Sequence, residues 1–86
     1  MIRLKNFIMD LFGSDAREDD TLAPSSVMCV VVPRSRFAEA AKALKKEYAL
    51  LSAEWASDET PYGRGFGIYA CYRREQEYLV VKTEAP

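Results

Sequence analysis

Apolar and polar positions alternate through most of residues 50–82. Leu51, Ala53 and Trp55 are interleaved with Ser52, Glu54 and Ala56. Further on, Phe66, Ile68, Ala70 and Tyr72 are interleaved with Gly67, Tyr69 and Cys71. A third segment, residues 78–82, is rich in aromatic and β-branched side chains. Period-two alternation marks a strand with two unlike faces, so this stretch predicts three strands. Two polar turns join them, SDETPYGRG at 57–65 and RREQE at 73–77. Phe66 and Tyr72 share one strand face and are expected in the core.

Ahead of this sheet the period changes. Leu4, Phe7, Ile8, Leu11 and Phe12 follow i, i+3, i+4 spacing, which predicts an amphipathic helix over 2–12 that stops at Gly13. A helix this short is marginal in water, so its stripe needs a surface. That surface is this domain's own sheet, a partner protein or a membrane. Residues 14–26, SDAREDDTLAPSS, are polar and acidic and read as a linker. The run VMCVVV at 27–32 reads as a strand buried on both faces. Ser35 is a candidate N-cap for a helix over 36–48 with Phe37, Ala40, Ala41, Leu44 and Tyr48 inward. The expected architecture is α+β: a helix in 1–13, a linker in 14–26, and one domain in 27–86. In that domain the order is β-α-β-β-β, with one helix packed on a four-stranded mixed sheet. A direct β-α-β unit would place the strands at 27–32 and 50–56 side by side and parallel.

Charge narrows the function. Twelve basic and thirteen acidic side chains leave a formal net charge of −1, so nothing draws the whole chain to nucleic acid. The charge is uneven: net −2 in residues 1–26, +3 in 27–50 and −2 in 51–86. Cys29 and Cys71 fit no metal-ligand spacing and read as buried free thiols. Histidine is absent from the chain, which removes the commonest general base. No serine or cysteine has a recognisable activating neighbour. Glu18, Asp19 and Asp20 are adjacent but lack the spaced pattern of a cation loop. Gly63, Gly65 and Gly67 lie between strands, without the helix N-terminus that a phosphate cradle needs. No apolar run is long enough to span a membrane, and the N-terminus makes a poor secretory signal, so a cytoplasmic protein is expected.

The helix FAEAAKALKKEYALL, the strand and turn AEWASDETPYGRGFGIYACYR and the final EYLVVKTEAP carry a resemblance. Over residues 37–86 the chain resembles the C-type small-subunit family of bacterial NADH–quinone oxidoreductase. It is equally similar to the corresponding small subunit or N-terminal domain of complex-I-related membrane-bound nickel–iron hydrogenases. Asp58, Phe66, Tyr69 and Leu79-Val80-Val81-Lys82 stand at the matching places. The family's longer members continue past this sheet. A sequence ending at Pro86 fits a short hydrogenase-type member, a separate gene product or a fragment, which leaves the quinone-reductase resemblance the weaker of the two.

The resemblance implies a structural and assembly subunit with no cofactor and no reaction of its own. Its partners would be the large catalytic subunit and the iron–sulfur subunits, and the complex would hold it at the inner membrane. Candidate contacts are Leu4, Phe7 and Leu11 on the first helix, Tyr62 and Arg64 in the first turn, and Arg73 and Arg74 in the second. Two other readings stay open: a small-ligand or regulatory β-α-β module, and a small enzyme using Asp58, Glu59 or Tyr62.

Overall fold

The computed structural model describes residues 2–19 and 28–85. In chain order it contains α1 (Leu4–Phe12), β1 (Arg17–Glu18), β2 (Met28–Val31), α2 (Phe37–Lys46), β3 (Leu50–Asp58), β4 (Phe66–Arg74) and β5 (Glu77–Ala85). Single 3-10 turns occupy Gly13–Asp15, Arg34–Arg36 and Thr60–Tyr62. The α+β class, the leading helix and the mixed sheet are as the sequence predicts.

The sheet has five strands in the order β1-β2-β5-β4-β3. The added strand comes from the polar segment: Arg17 and Glu18 pair antiparallel with Val31 and Val30. Backbone pairing needs no apolar side chain, so composition did not reveal it. The parallel neighbour of β2 is β5, with Val30 opposite Val81. β3 is not adjacent to β2, because β3, β4 and β5 form an antiparallel meander that returns to it. β2 and β3 still run in the same direction, with β5 and β4 between them.

Both helices lie on one face of the sheet. Leu4, Ile8 and Phe12 of α1 and Ala40 and Leu44 of α2 meet Val30, Val32, Ala70, Tyr72, Leu79 and Val81. α1 touches β2, β5 and α2, and α2 touches β5, so the helix layer sits over the middle of the sheet. Two adjacent helices cover about 20 Å. A five-stranded sheet spans about 19 Å between its outer strands, plus the side chains beyond them. Centred on β2 and β5, the pair does not reach β3.

Two local expectations change. No side chain caps α2: Arg36 precedes it in a 3-10 turn, and Ser35 makes no cap bond. The helix ends at Lys46, and Tyr48 points away, 85% exposed with φ +62°. Tyr48 N–H donates to Lys45 O at 3.1 Å and Ala49 N–H to Leu44 O at 3.0 Å. That pair of bonds is a Schellman ending, which puts Tyr48 at the left-handed position glycine usually fills.

Candidate functional site

Two features stand apart from the helix-on-sheet core. The first is the β3 edge. Along Leu50–Asp58 every residue but the half-buried Ser57 is exposed. A bulge at Ser52 splits the pairing between Leu51 and Ala53, and Ser52 Oγ donates to Cys71 O at 3.1 Å. Residues opposite one another in an antiparallel pair point to the same side. Glu54 opposite Ala70, Ala56 opposite Ile68 and Asp58 opposite Phe66 therefore face the helix side. Ala53, Trp55 and Ser57, opposite Cys71, Tyr69 and Gly67, face the far side. Phe66 is 48% exposed, contrary to the core position expected for it, because it lies at the end of β4 beyond the helix layer.

The second feature is a buried charge network on the far face. Lys82 Nζ is 3.0 Å from Glu59 Oε1 and 3.7 Å from Asp19 Oδ2, and the Lys82 side chain is 1% exposed. The Tyr69 hydroxyl donates to the other oxygen of Glu59. Lys82 Nζ also lies 5.1 Å from the centre of the Tyr69 ring, and Trp55 stacks on that ring at 5.1 Å with the planes 2° apart. Topology makes the meeting. Tyr69 and Lys82 are opposite each other on β4 and β5, while Glu59 reaches in from the turn after β3. The turn is held by Glu59 N–H donating to Gly65 O and by Asp58 Oδ1 accepting from Thr60 N–H and Oγ1. Gly67 leaves the space: a Cβ there would come within 2.7 Å of Tyr69 Cε1 and 3.0 Å of Glu59 Oε2.

The protonation states follow from these contacts. Burial alone would lower Lys82, but the Tyr69 hydroxyl and Glu59 outweigh it and hold the ammonium above its ordinary value. The Tyr69 hydrogen bond, and then Lys82, draw Glu59 below the usual carboxylate range. Burial and the Glu59 bond raise Tyr69. Cys29, buried on the same face beside Val80, is pushed up to about 11 by burial and by Asp19. At neutral pH the network is thus an ammonium held by carboxylates, a neutral phenol and a neutral thiol. None of these forms is poised for nucleophilic attack or for general acid–base exchange near pH 7. Among the described residues no group of three or more Cys, Asp or Glu is placed to hold a metal ion.

The sequence-predicted contacts fall into two sets. Leu4 is fully buried and Phe7 packs against the core, so these two members of the α1 stripe meet this domain's own core. Arg74 is also occupied internally. It donates to Ile2 O at 2.6 Å, to Glu47 O at 3.4 Å and to Glu77 Oε1 at 3.2 Å, and its side chain is 11% exposed. Leu11, Tyr62, Arg64 and Arg73 remain exposed, and Tyr62 is 81% so. They are not gathered: Tyr62 and Arg64 flank the end of β3, Arg73 lies on β4 opposite Leu50 and Tyr78, and Leu11 is on α1.

Sequence reasoning missed Lys82, Tyr69 and Asp19 as a unit. The available signal was a lysine inside YLVVKT, a charge at a sheet-interior position. A cleft of about 590 Å³ opens near the start of α1, lined by Arg3, Lys5, Met28, Glu75 and Tyr78 among others. Its lining joins α1 and its N-cap to the start of β2 and the β4–β5 hairpin. Of the acidic run, Glu18 belongs to β1 and Asp19 to the Lys82 network, while Asp20 lies outside the described residues, as does the rest of the expected linker to residue 26.

No helix among the described residues is long and apolar enough to cross a membrane. No protein-family model matches the chain. No curated protein matches it either.

Proposed function

We propose that this chain is a non-catalytic docking subunit. The observation that carries the reading is β3, a nine-residue edge strand exposed along its length and left outside the helix layer. Isolated domains blunt such edges with short strands, charged side chains, prolines or bulges. β3 has neither lysine nor proline, and its charges are Glu54 and Asp58. Its bulge at Ser52 lies near its start and leaves Ala53–Asp58 regular, whereas the opposite edge, β1, is two residues long. The charge network supports the same reading from the other side, since its groups rest in states suited to holding a loop and not to chemistry at neutral pH.

The sequence resemblance supplies the partner class. The chain would dock on the large catalytic subunit and iron–sulfur subunits of a membrane-associated oxidoreductase, of hydrogenase or NADH–quinone oxidoreductase type. It would bind no cofactor and would reach the membrane only through that complex. Affinity purification of the full chain from its native host tests this. Co-purification with large hydrogenase-type and iron–sulfur chains is the expected result. Recovery as a lone monomer or homodimer would overturn it in favour of the small-ligand module.

A further inference from the structure

The two faces of β3 differ in chemistry as well as direction. Glu54 and Asp58 both lie on the helix side, while Ala53 and Trp55 lie on the far side. The only charges on the strand are acidic. An edge strand offers a row of backbone N–H and C=O groups to an added strand, and among the described residues none pairs with the outer edge of β3. We infer that β3 takes up an extended segment of another chain whose side chains alternate between basic and apolar. The basic positions fall beside Glu54 and Asp58, and the apolar ones beside Ala53 and Trp55. Added-strand recognition works this way in general: main-chain bonds give affinity and alternate side chains give specificity.

Charge selects this occupant over a second copy of the chain. Two β3 strands joined antiparallel about a two-fold axis keep their faces aligned. Every register then places both copies of Glu54 and Asp58, four carboxylates and no cation, on one side of the joint. Like charges across a strand pair are destabilising, and opposite charges are favourable. The segment's length is set by β3 itself, nine residues, with the bulge at Ser52 limiting regular pairing to Ala53–Asp58. This inference rests on the docking reading and adds the surface and the partner's pattern to it.

The test is site-specific photo-crosslinking in the complex purified from the native host. Benzoylphenylalanine is placed at Ala53 or Ala56 on β3, with Ala38 on the exposed side of α2 as the control. The expected result is crosslinking from the β3 positions, but not from Ala38, to a peptide of a different chain that alternates basic and apolar residues. In parallel, Glu54→Lys should lower recovery of that chain about threefold at ~0.15 M salt, with a smaller loss at ~1 M, while circular dichroism stays unchanged. Glu54→Gln should fall between.

Crosslinks to a second copy of this chain would overturn the inference, as would crosslinks to a segment without basic residues. If the complex forms but crosslinks arise only at Ala38, the β3 assignment fails and the docking reading stands. If no partner chain is recovered at all, the docking reading fails and this inference falls with it.

Discussion

Single residues show where this chain accepts a local cost for a contact. Tyr48 holds φ +62° at the end of α2 with its side chain in solvent. A left-handed non-glycine residue costs about 1–2 kcal/mol, and nothing in its exposure offsets that. Tyr48→Gly should therefore raise stability by up to about 1 kcal/mol once glycine's added chain entropy is subtracted, read as a higher urea midpoint with unchanged slope. A lower midpoint would show that the tyrosine ring makes a stabilising contact. Gly67 carries the opposite constraint. Its backbone needs no glycine, but a methyl group would collide with the Tyr69 ring. Gly67→Ala should cost about 1–3 kcal/mol by overpacking. Thermal unfolding that matches the parent would mean that the ring and Glu59 move aside freely. Neither position announced its role in the sequence. Tyr48 reads as the last member of a helical stripe, and Gly67 as a small residue inside an alternating strand. What decides each is a backbone angle or the place of a neighbouring ring, and neither shows in the pattern of residue types.

Elements were more legible than residues, because period reports burial directly. The α1 stripe and the buried β2 run follow from side chains alone, and the structure places them accordingly, while β4 is buried on both faces around Tyr69 and Ala70 and leaves Phe66 exposed. What period cannot give is which strands become neighbours. The pairing of β2 with β5 rests on backbone bonds and on the return of a hairpin, so sequence adjacency suggested the wrong partner. The attachment of α1 was half visible for a similar reason. Its apolar face predicts a surface, but the polar pins come from the far end of the chain. Glu77 Oε2 accepts the Leu4 N–H at 2.6 Å, and Arg74 holds Ile2 O, both from the β4–β5 hairpin. α1 has no side-chain cap of its own at Arg3, so Glu77 supplies one across 73 residues of sequence. Arg74→Met should cost about 2 kcal/mol, since hydrogen bonds to a charged group are lost while their carbonyl acceptors stay behind. Amide exchange should rise first in α1 and only later in β4 and β5. Uniform acceleration across the sheet would show that the hairpin, not α1, depends on Arg74.

For the whole molecule the two faces of the sheet are held by different physics, and they should respond differently to pH. The helix side is an apolar core built from aliphatic and aromatic side chains. The far side closes around Lys82, whose partners come from β4, from the turn after β3 and from Asp19 beyond β1, so one ammonium joins four parts of the chain. Glu59 is held below its unfolded value, so its contribution is present above about pH 4.3 and is lost as pH falls through the lower folded value. Lys82 and Tyr69 are raised, so theirs is present below about pH 10 and is lost as pH rises through the higher folded values. Cys29 on the same face is raised to about 11, so its contribution is lost from about pH 8.5 upward. Stability should thus be flat between about pH 5 and 8 and fall on both sides. Lys82→Met leaves Glu59 without the ammonium beside it, and breaking a buried pair in this way costs about 3–5 kcal/mol. Lys82→Met/Glu59→Gln removes the stranded carboxylate as well and should recover part of that loss, while the difference from the parent shrinks at both pH extremes. Urea unfolding of the three proteins at pH 3, 7 and 11 separates the outcomes. A double variant no more stable than Lys82→Met at pH 7 would mean that Lys82 acts through its packed stem on Tyr69 and not through its charge. The network would then be a far-face core that happens to end in an ammonium.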